Sequence, residues 1–390
     1  MTHGKIIVAG SLLLLSAAAR ADDAKPALML RERHNFPCSA DAVYTFGPDG
    51  RTLFVADSGV VDVWDAAEGV KLRSWGEGAK DAGACTGRFT SIAVSADGRF
   101  VATGGAGGIV QVWDAESGKL RHSIGAHVVE VHEVHRITRD GNVVLDLDET
   151  RSEPSEILSV ALSPDGALVA AASSDQSISV SDAATGKVVH RIRTGSECAA
   201  IAISIDGKSL VSVRMHFAEP QPTVELWDVR TGELQRQFPP GREEHFGVRF
   251  LSLSQDDRVL AGSVGTTEFL PIPNVYLWDL KAGRQLPSIT PLDGDGYATR
   301  VAVSPSGEYV ASVGRTNRLV LWNVADRSRV ATWEFPSTAE GPEFDSIQFS
   351  PDGKSLAVLA RTYVPTREEY TYQVQGQIHL IELKAKSDDR

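Results

Sequence analysis

Residues 160–166 read Val160-Ala161-Leu162-Ser163-Pro164-Asp165-Gly166. The apolar start is typical of a short strand, and the last three residues predict a tight turn. Proline presets the first turn dihedral, aspartate hydrogen-bonds the backbone ahead of it, and glycine accepts a positive φ. A second apolar strand follows, so the segment predicts a hairpin.

The same strand and turn recur through the chain. The copies cover residues 42–50, 92–98, 160–166, 201–207, 251–257, 301–307 and 347–353. Each turn is followed by a second strand, a third strand that usually carries Trp-Asp or Trp-Asn, and a polar turn into a fourth strand. The tryptophan pairs are Trp64-Asp65, Trp113-Asp114, Trp227-Asp228, Trp278-Asp279 and Trp322-Asn323, whereas Ser181 and Ile381 stand in their place in two units. Short antiparallel strands repeated in this way are typical of a propeller.

The pattern predicts an all-β fold: a seven-bladed β-propeller of four-stranded antiparallel blades. The last unit ends at its third strand, Gln377–Leu383, while the unassigned strand Ala27–Phe36 precedes the first unit. Pairing these two would close the ring with the N-terminal strand and leave no free edge there. One propeller domain over residues 22–386 is expected, with an added hairpin at about 127–156 and a polar tail at 387–390. Six or eight blades stay open as alternatives, because the stretch between units two and three is long.

With its Trp-Asp pairs in register with the turns, the chain resembles the WD-repeat β-propeller family, in an exported bacterial form, over nearly all of residues 27–386. The buried hydrogen-bond tetrad of that family is mostly missing. Gly125-Ala126-His127 resembles its Gly-His element, and Thr103 and Ser312 keep the second-strand hydroxyl. The resemblance therefore implies blades that cohere mainly by apolar and tryptophan packing.

The N-terminus has the features of a cleaved signal peptide, residues 1–21. Lys5 precedes an apolar run, Ile6–Ala19, and Ala19-Arg20-Ala21 offers small residues before Asp22. The alternative is an uncleaved anchor, but the run has about 14 residues and a membrane span needs about 20. A periplasmic or secreted protein is expected, with no later membrane span.

Charge and loop length indicate what the protein binds. With 39 Lys and Arg against 51 Asp and Glu, the net charge of −12 argues against a nucleic-acid partner. Extra sequence accumulates in the inter-blade and second-to-third strand loops, which share one face, and such loops are where binding evolves. Candidate binding residues there, of types that anchor interfaces, are His216, Phe217, Phe246, Phe269, Leu270, Tyr363, Arg367, Tyr370 and Tyr372. Any of these aromatics could instead pack its loop onto a blade.

No residue pattern predicts catalysis, a nucleotide site or a cofactor. The best metal candidate joins His127, His132, His135, Glu130 and Glu133. In an extended strand His132 and His135 would point to opposite sides, so no metal site is assigned. The first strands also open mostly with apolar residues, which argues against metal ligands in the central channel.

Three cysteines in an exported chain leave at least one unpaired. Cys38 and Cys85 both precede a first strand, in loops of adjacent units, and are the candidate disulfide. Cys198 begins the strand of unit four and is expected to be buried.

The function favoured by these observations is a non-enzymatic, monomeric scaffold that binds an unidentified protein or peptide through the face with the long loops. The alternative is an exported propeller enzyme of the lactonase or hydrolase type, with a metal in the channel.

Overall fold

A computed structural model describes residues 28–76, 88–125, 127–139, 142–214, 223–238, 248–264, 275–290, 298–314, 316–336, 343–365 and 372–385. All the regular structure in these ranges is β. Seven four-stranded antiparallel sheets form the blades of a β-propeller, as the repeats predict. Within the same ranges, no helix has the length and hydropathy that a membrane span requires.

The strands follow the repeats in chain order. The N-terminal strand is β1 (Leu28–Cys38). Blade one contains β2 (Val43–Phe46), β3 (Thr52–Asp57), β4 (Val60–Asp65) and β5 (Val70–Trp75). Blade two contains β6 (Phe89–Val94), β7 (Phe100–Gly105), β8 (Ile109–Asp114) and β9 (Leu120–Gly125). A separate two-stranded ribbon follows, β10 (Val128–Arg139) and β11 (Asn142–Pro154).

The remaining blades continue the same order. Blade three contains β12 (Ile157–Leu162), β13 (Leu168–Ser173), β14 (Ser177–Asp182) and β15 (Val188–Arg193). Blade four contains β16 (Cys198–Ile203), β17 (Ser209–Arg214), β18 (Thr223–Asp228) and β19 (Leu234–Phe238). Blade five contains β20 (Val248–Leu253), β21 (Val259–Val264), β22 (Val275–Asp279) and β23 (Arg284–Ile289). Blade six contains β24 (Ala298–Val303), β25 (Tyr309–Gly314), β26 (Arg318–Asn323) and β27 (Arg329–Glu334), and blade seven contains β28 (Glu343–Phe349), β29 (Ser355–Pro365) and β30 (Tyr372–Ala385).

The predicted ring closure is confirmed. The sheet order of blade seven is β1-β30-β29-β28, so the N-terminal strand is its outer strand. The two strands pair antiparallel from Leu28 opposite Ala385 to Cys38 opposite Gly376. Strand β1 runs past Phe36, which places Cys38 in the strand. The expectation that Cys38 lies in an inter-blade loop is therefore wrong.

The turn between the first and second strands is held by its own side chains. In blade three Gly166 has φ 68° and donates its N–H to the Ser163 carbonyl at 2.8 Å. The Ser163 hydroxyl donates to Asp165 at 2.6 Å, and Asp165 also accepts the N–H of Ala167 at 3.0 Å. These bonds lower the pKa of Asp165, that from the Ser163 hydroxyl most. The same serine-to-aspartate bond recurs at Ser95, Ser204, Ser254 and Ser350.

Neighbouring blades are also linked by hydrogen bonds along the channel. The hydroxyls of Ser91, Ser159 and Ser252 accept backbone N–H groups of the next blade's first strand at 3.0, 3.2 and 2.9 Å. The Gln348 side chain accepts the Phe46 N–H at 3.3 Å and so joins blade seven to blade one. The resemblance implied cohesion mainly by packing. These bonds add a polar component, because they satisfy backbone donors on the inner edges of the sheets.

Part of the family's tetrad survives in pairs. The indole N–H groups of Trp113, Trp227 and Trp322 donate to Thr103, Ser212 and Ser312 at 3.1, 2.9 and 2.9 Å. Each bond satisfies a buried donor between the second and third strands of its blade.

His127 anchors the ribbon to blade three. Its Nδ1 lies 2.9 Å from the Asp175 carboxylate, and its Nε2 lies 2.8 Å from the Ser179 hydroxyl in the third strand of the blade. Burial lowers the pKa of His127, which favours a neutral ring despite the Asp175 charge. Ser155 donates its N–H to the His127 carbonyl at 3.2 Å and closes the base of the ribbon.

Candidate interaction surface

The two faces of the ring differ in the loops they carry. We call the face where the first strands begin the loop face, and the face with the short first-to-second strand turns the turn face. Most of the candidate binding residues lie outside the described residues: His216, Phe217, Phe246, Phe269, Leu270, Arg367 and Tyr370. Tyr372 begins β30, but its side chain also lies outside the described part of the chain.

Tyr363 is the candidate whose side chain the structure places. It lies in β29, opposite Val374 of β30, because β29 continues to Pro365. Its hydroxyl donates to the Glu343 carboxylate at 2.9 Å, and this negative partner raises the pKa of Tyr363. The residue therefore stands at the loop-face end of blade seven, in a strand and not in a loop.

A cavity of about 590 Å³ occupies the loop-face mouth of the channel. Its wall is built by the first strands of blades one to five and blade seven. Five charged side chains stand around it: Asp41, Arg88, Glu156, Asp345 and Arg361.

Charges of alternating sign run around the mouth from blade two to blade seven. Arg88 and Arg361 each lie 3.6 Å from the same Asp41 oxygen. Arg361 also contacts the Asp345 carboxylate and donates to the Ala40 carbonyl at 2.8 Å. The Arg361 side chain thus joins blade seven to the segment that enters blade one.

Arg300 of blade six reaches the same carboxylate from the other side. Its guanidinium lies 3.5 Å from the centre of the Phe250 ring and 3.7 Å from an Asp345 oxygen, and it bonds the Asp345 carbonyl. Burial raises the pKa of Asp345, although the charges of Arg361 and Arg300 oppose the rise. Asp345 is therefore a largely buried carboxylate whose ionised form depends on two arginines. We call Asp41, Arg88, Arg300, Asp345 and Arg361 the mouth network.

The sequence pattern did not predict this network. The first strands open mostly with apolar residues, but charged residues directly adjoin several of these strands. Arg88 and Glu156 each immediately precede a first strand, Asp41 comes two residues before one, and Asp345 lies within β28. The signal in the sequence that could have predicted the network is the charged residue that recurs at the start of several blades. Within the described ranges, no three His, Cys, Asp or Glu side chains are grouped so that they could hold a metal ion.

Cys38 lies next to this region. It is half-buried, and burial raises the pKa of its thiol to about 12, with added contributions from the charges of Asp57 and Asp345. Cys198 is buried at the start of β16, as expected. Cys85 lies outside the described residues, so its pairing with Cys38 stays a prediction.

Comparison with protein families finds two matching models. Residues 129–206 match the model described as the anaphase-promoting complex subunit 4 WD40 domain. Residues 82–114 match the WD domain, G-beta repeat.

Curated relatives resemble the chain at low identity over most of its length. Protein tipD of Dictyostelium discoideum is 23% identical over 68% of this chain and 37% of its own. Autophagy-related protein 16 of Arabidopsis thaliana is 24% identical over 70% of this chain and 45% of its own. Telomerase protein component 1 of Rattus norvegicus is 26% identical over 71% of this chain and 10% of its own. The chain thus spans less than half the length of these relatives, and the seven-bladed fold and the two family matches together support a WD-repeat β-propeller.

Proposed function

We propose that this protein is an interaction scaffold that binds a protein or peptide partner through its loop face. The observation that carries the proposal is the mouth network, a set of charges from four blades at the centre of that face, in which Arg300, Asp345 and Arg361 are largely buried and hold one another in position. A rigid arrangement of this kind loses little side-chain freedom when a partner binds. Among the family matches, one is described as a domain from a subunit of a multi-protein complex, which supports the same class of function.

The loops around the mouth would supply the apolar anchors of the interface. Interfaces commonly combine aromatic hot spots with a polar surround. The candidates Phe269 and Tyr370 belong to segments that the sequence predicts to be loops of this face, between the second and third strands of blades five and seven. We therefore propose that charge at the mouth orients the partner and that aromatic side chains provide most of the affinity.

A double substitution, Phe269→Ala with Tyr370→Ala, is expected to abolish partner capture. Loss of one central aromatic anchor typically costs about 2 kcal/mol or more of binding free energy. The measurement is crosslinking and mass spectrometry in the native compartment, followed by a pull-down with the purified partner. Thermal unfolding should be unchanged, because both substitutions fall in segments that are predicted to be loops.

Matched controls come from the turn face. Glu68→Ala and Glu233→Ala change exposed residues in turns between third and fourth strands. Both should leave capture intact. If these variants lost the partner while the aromatic double variant kept it, the assignment to the loop face would be wrong.

We also propose that the protein works in an exported, oxidising compartment and contains a Cys38–Cys85 disulfide. The support is the Lys5 and Ile6–Ala19 pattern before Asp22, together with two cysteines, Cys38 and Cys85, that precede the first strands of adjacent units in the sequence. Disulfides persist in such compartments, and a loop of this span would stabilise the fold by roughly 4 kcal/mol.

Intact mass and non-reducing peptide mapping of the exported protein test both parts. The expected product begins at Asp22 and yields a Cys38–Cys85 peptide. A mature chain that begins at Met1 would contradict export with cleavage. Alkylation of both thiols after unfolding without reductant would exclude the disulfide.

A further inference from the structure

The turn face has a cavity of its own, of about 660 Å³, at the opposite mouth of the channel. Apolar side chains from the ends of the first strands line it, including Phe46, Val94, Leu162 and Leu253, together with polar side chains such as Ser254, Gln348 and Asp352. The turn residues that follow six of the first strands contribute to the rim. In order around the ring these residues are Pro48, Ala96, Pro164, Ile205, Gln255 and Pro351, and the corresponding residue of unit six is Pro305.

Two neighbouring units depart from the repeat at this rim. Unit four has Ile205 where four other units have proline, and this side chain is 53% exposed. Unit five has Asp257 where the other units have glycine. Asp257 keeps the glycine-type backbone, with φ 54° and an N–H bond to the Ser254 carbonyl at 3.1 Å. A non-glycine residue in this left-handed region is strained by about 1 kcal/mol.

The two residues that depart from the repeat, Ile205 and Asp257, are joined by a hydrogen bond. The Ile205 N–H donates to the Asp257 carboxylate at 2.7 Å, across the boundary between blades four and five. Proline at position 205 would have no N–H to donate, and glycine at position 257 would have no carboxylate to accept it. Together they place a carboxylate beside an exposed aliphatic side chain at the edge of a cavity that has both apolar and polar walls.

This carboxylate stands in a negative environment. Burial raises the pKa of Asp257, the hydrogen bond from the Ile205 N–H opposes part of the rise, and the charges of Asp206 and Asp256 add to it. A cation placed against Asp257 would offset both the lost hydration and the repulsion. Strained backbone that brings a charge to a concave site is a reason to look for a ligand there.

We infer that the turn-face mouth binds a peptide segment that sets a lysine or arginine cation against Asp257 and an adjacent aliphatic side chain in the cavity beside Ile205. The negative charge of Asp257 favours the peptide cation. The apolar part of the cavity wall favours the aliphatic residue next to that cation in the peptide. The site lies on the face opposite the mouth network, so it is independent of the binding proposed above.

The substitution Asp257→Gly separates binding from folding, because it restores the residue of the other units and removes the strain. Its melting temperature should be no lower than that of the wild type. The probe is a fluorescein-labelled Gly-Leu-Arg-Leu-Gly amide, followed by fluorescence anisotropy at low salt. Asp257→Gly is expected to weaken its binding by about tenfold or more. Asp257→Asn, which keeps an acceptor for the Ile205 N–H, should weaken it similarly.

Two further peptides test the chemistry of the site. Gly-Leu-Glu-Leu-Gly and Gly-Gly-Arg-Gly-Gly amides each lack one of the two features and should bind the wild type at least about tenfold more weakly. The control variant Glu68→Ala, an exposed carboxylate elsewhere on the turn face, should bind the first peptide normally.

Several results would overturn the inference. Equal affinity for the arginine and glutamate peptides would do so, as would unchanged binding by Asp257→Gly. Calcium binding that Asp257→Gly abolishes would assign the carboxylate to a metal instead. Self-association that Asp257→Gly abolishes would assign the mouth to a second copy of the chain. Loss of loop-face capture in the aromatic double variant would leave this inference untouched.

Discussion

A chain that lacks residues 28–38 is expected not to form a stable propeller. Removing β1 exposes the full edge of β30, from Gly376 to Ala385, to solvent and to other chains. It also uncovers the core. Phe36 is 1% exposed and packs with residues of blades one and seven, and Leu30 packs between blades six and seven.

The size of the effect follows from these contacts. Loss of a buried phenylalanine alone costs about 3 to 5 kcal/mol, and typical domains have a total stability of about 5 to 15 kcal/mol. Losing the whole strand should therefore yield aggregated or unfolded protein. Size-exclusion chromatography and thermal unfolding by circular dichroism measure this, with a chain beginning at residue 22 as the control.

The single substitution Phe36→Ala separates packing from strand pairing. It should lower stability without causing aggregation, because β1 still covers the edge of β30. A truncated chain with the melting temperature of the control would refute closure through this strand.

The repeats predicted the fold because their determinants are local. The Pro-Asp-Gly turn specifies its own geometry through backbone preferences and short-range bonds, as at Ser163, Asp165 and Gly166. Ring closure could also be predicted, because the last unit contains three strands where the other units contain four. Both inferences needed only neighbours in sequence and the rule that sheet edges are covered.

The mouth network could not be predicted from the sequence in the same way. Arg361 reaches Asp345 and the Ala40 carbonyl only because the ring brings the first and last units together. Arg300 and Asp345 each have one apolar neighbour and one hydroxyl-bearing neighbour in their strands, so each resembles an ordinary solvent-facing position. Cys38 was misplaced for a related reason. The length of β1 is set by its pairing with β30, not by its own apolar pattern.

Replacing Arg361 by alanine is expected to lower the free energy of unfolding by about 3 kcal/mol near pH 8, because it leaves a buried carboxylate without a main partner. The side chains of Asp345 and Arg361 are only 22% and 26% exposed. Urea denaturation followed by tryptophan fluorescence measures the loss.

The loss should depend on pH in a direction that the pKa of Asp345 fixes. Its pKa in the folded protein is raised above the ordinary value, so ionisation of this group opposes folding as the pH rises. Without Arg361 the folded-state pKa rises further. Arg361→Ala should therefore be more destabilising at pH 8 than at pH 5, where more of the carboxyl is neutral.

Two variants identify charge compensation as the cause. Arg88→Ala removes an arginine from the same network. Because the Arg88 side chain is 58% exposed and lies 3.6 Å from Asp41, the free energy of unfolding should fall by only about 0.3 kcal/mol. Adding Asp345→Asn to Arg361→Ala removes the uncompensated charge, so it should restore part of the lost stability and abolish the difference between pH 5 and pH 8. A loss that is equal at pH 5 and pH 8 would show instead that Arg361 acts through packing and its bond to the Ala40 carbonyl. The network would then only connect the blades, and its charges would not contribute to binding a partner.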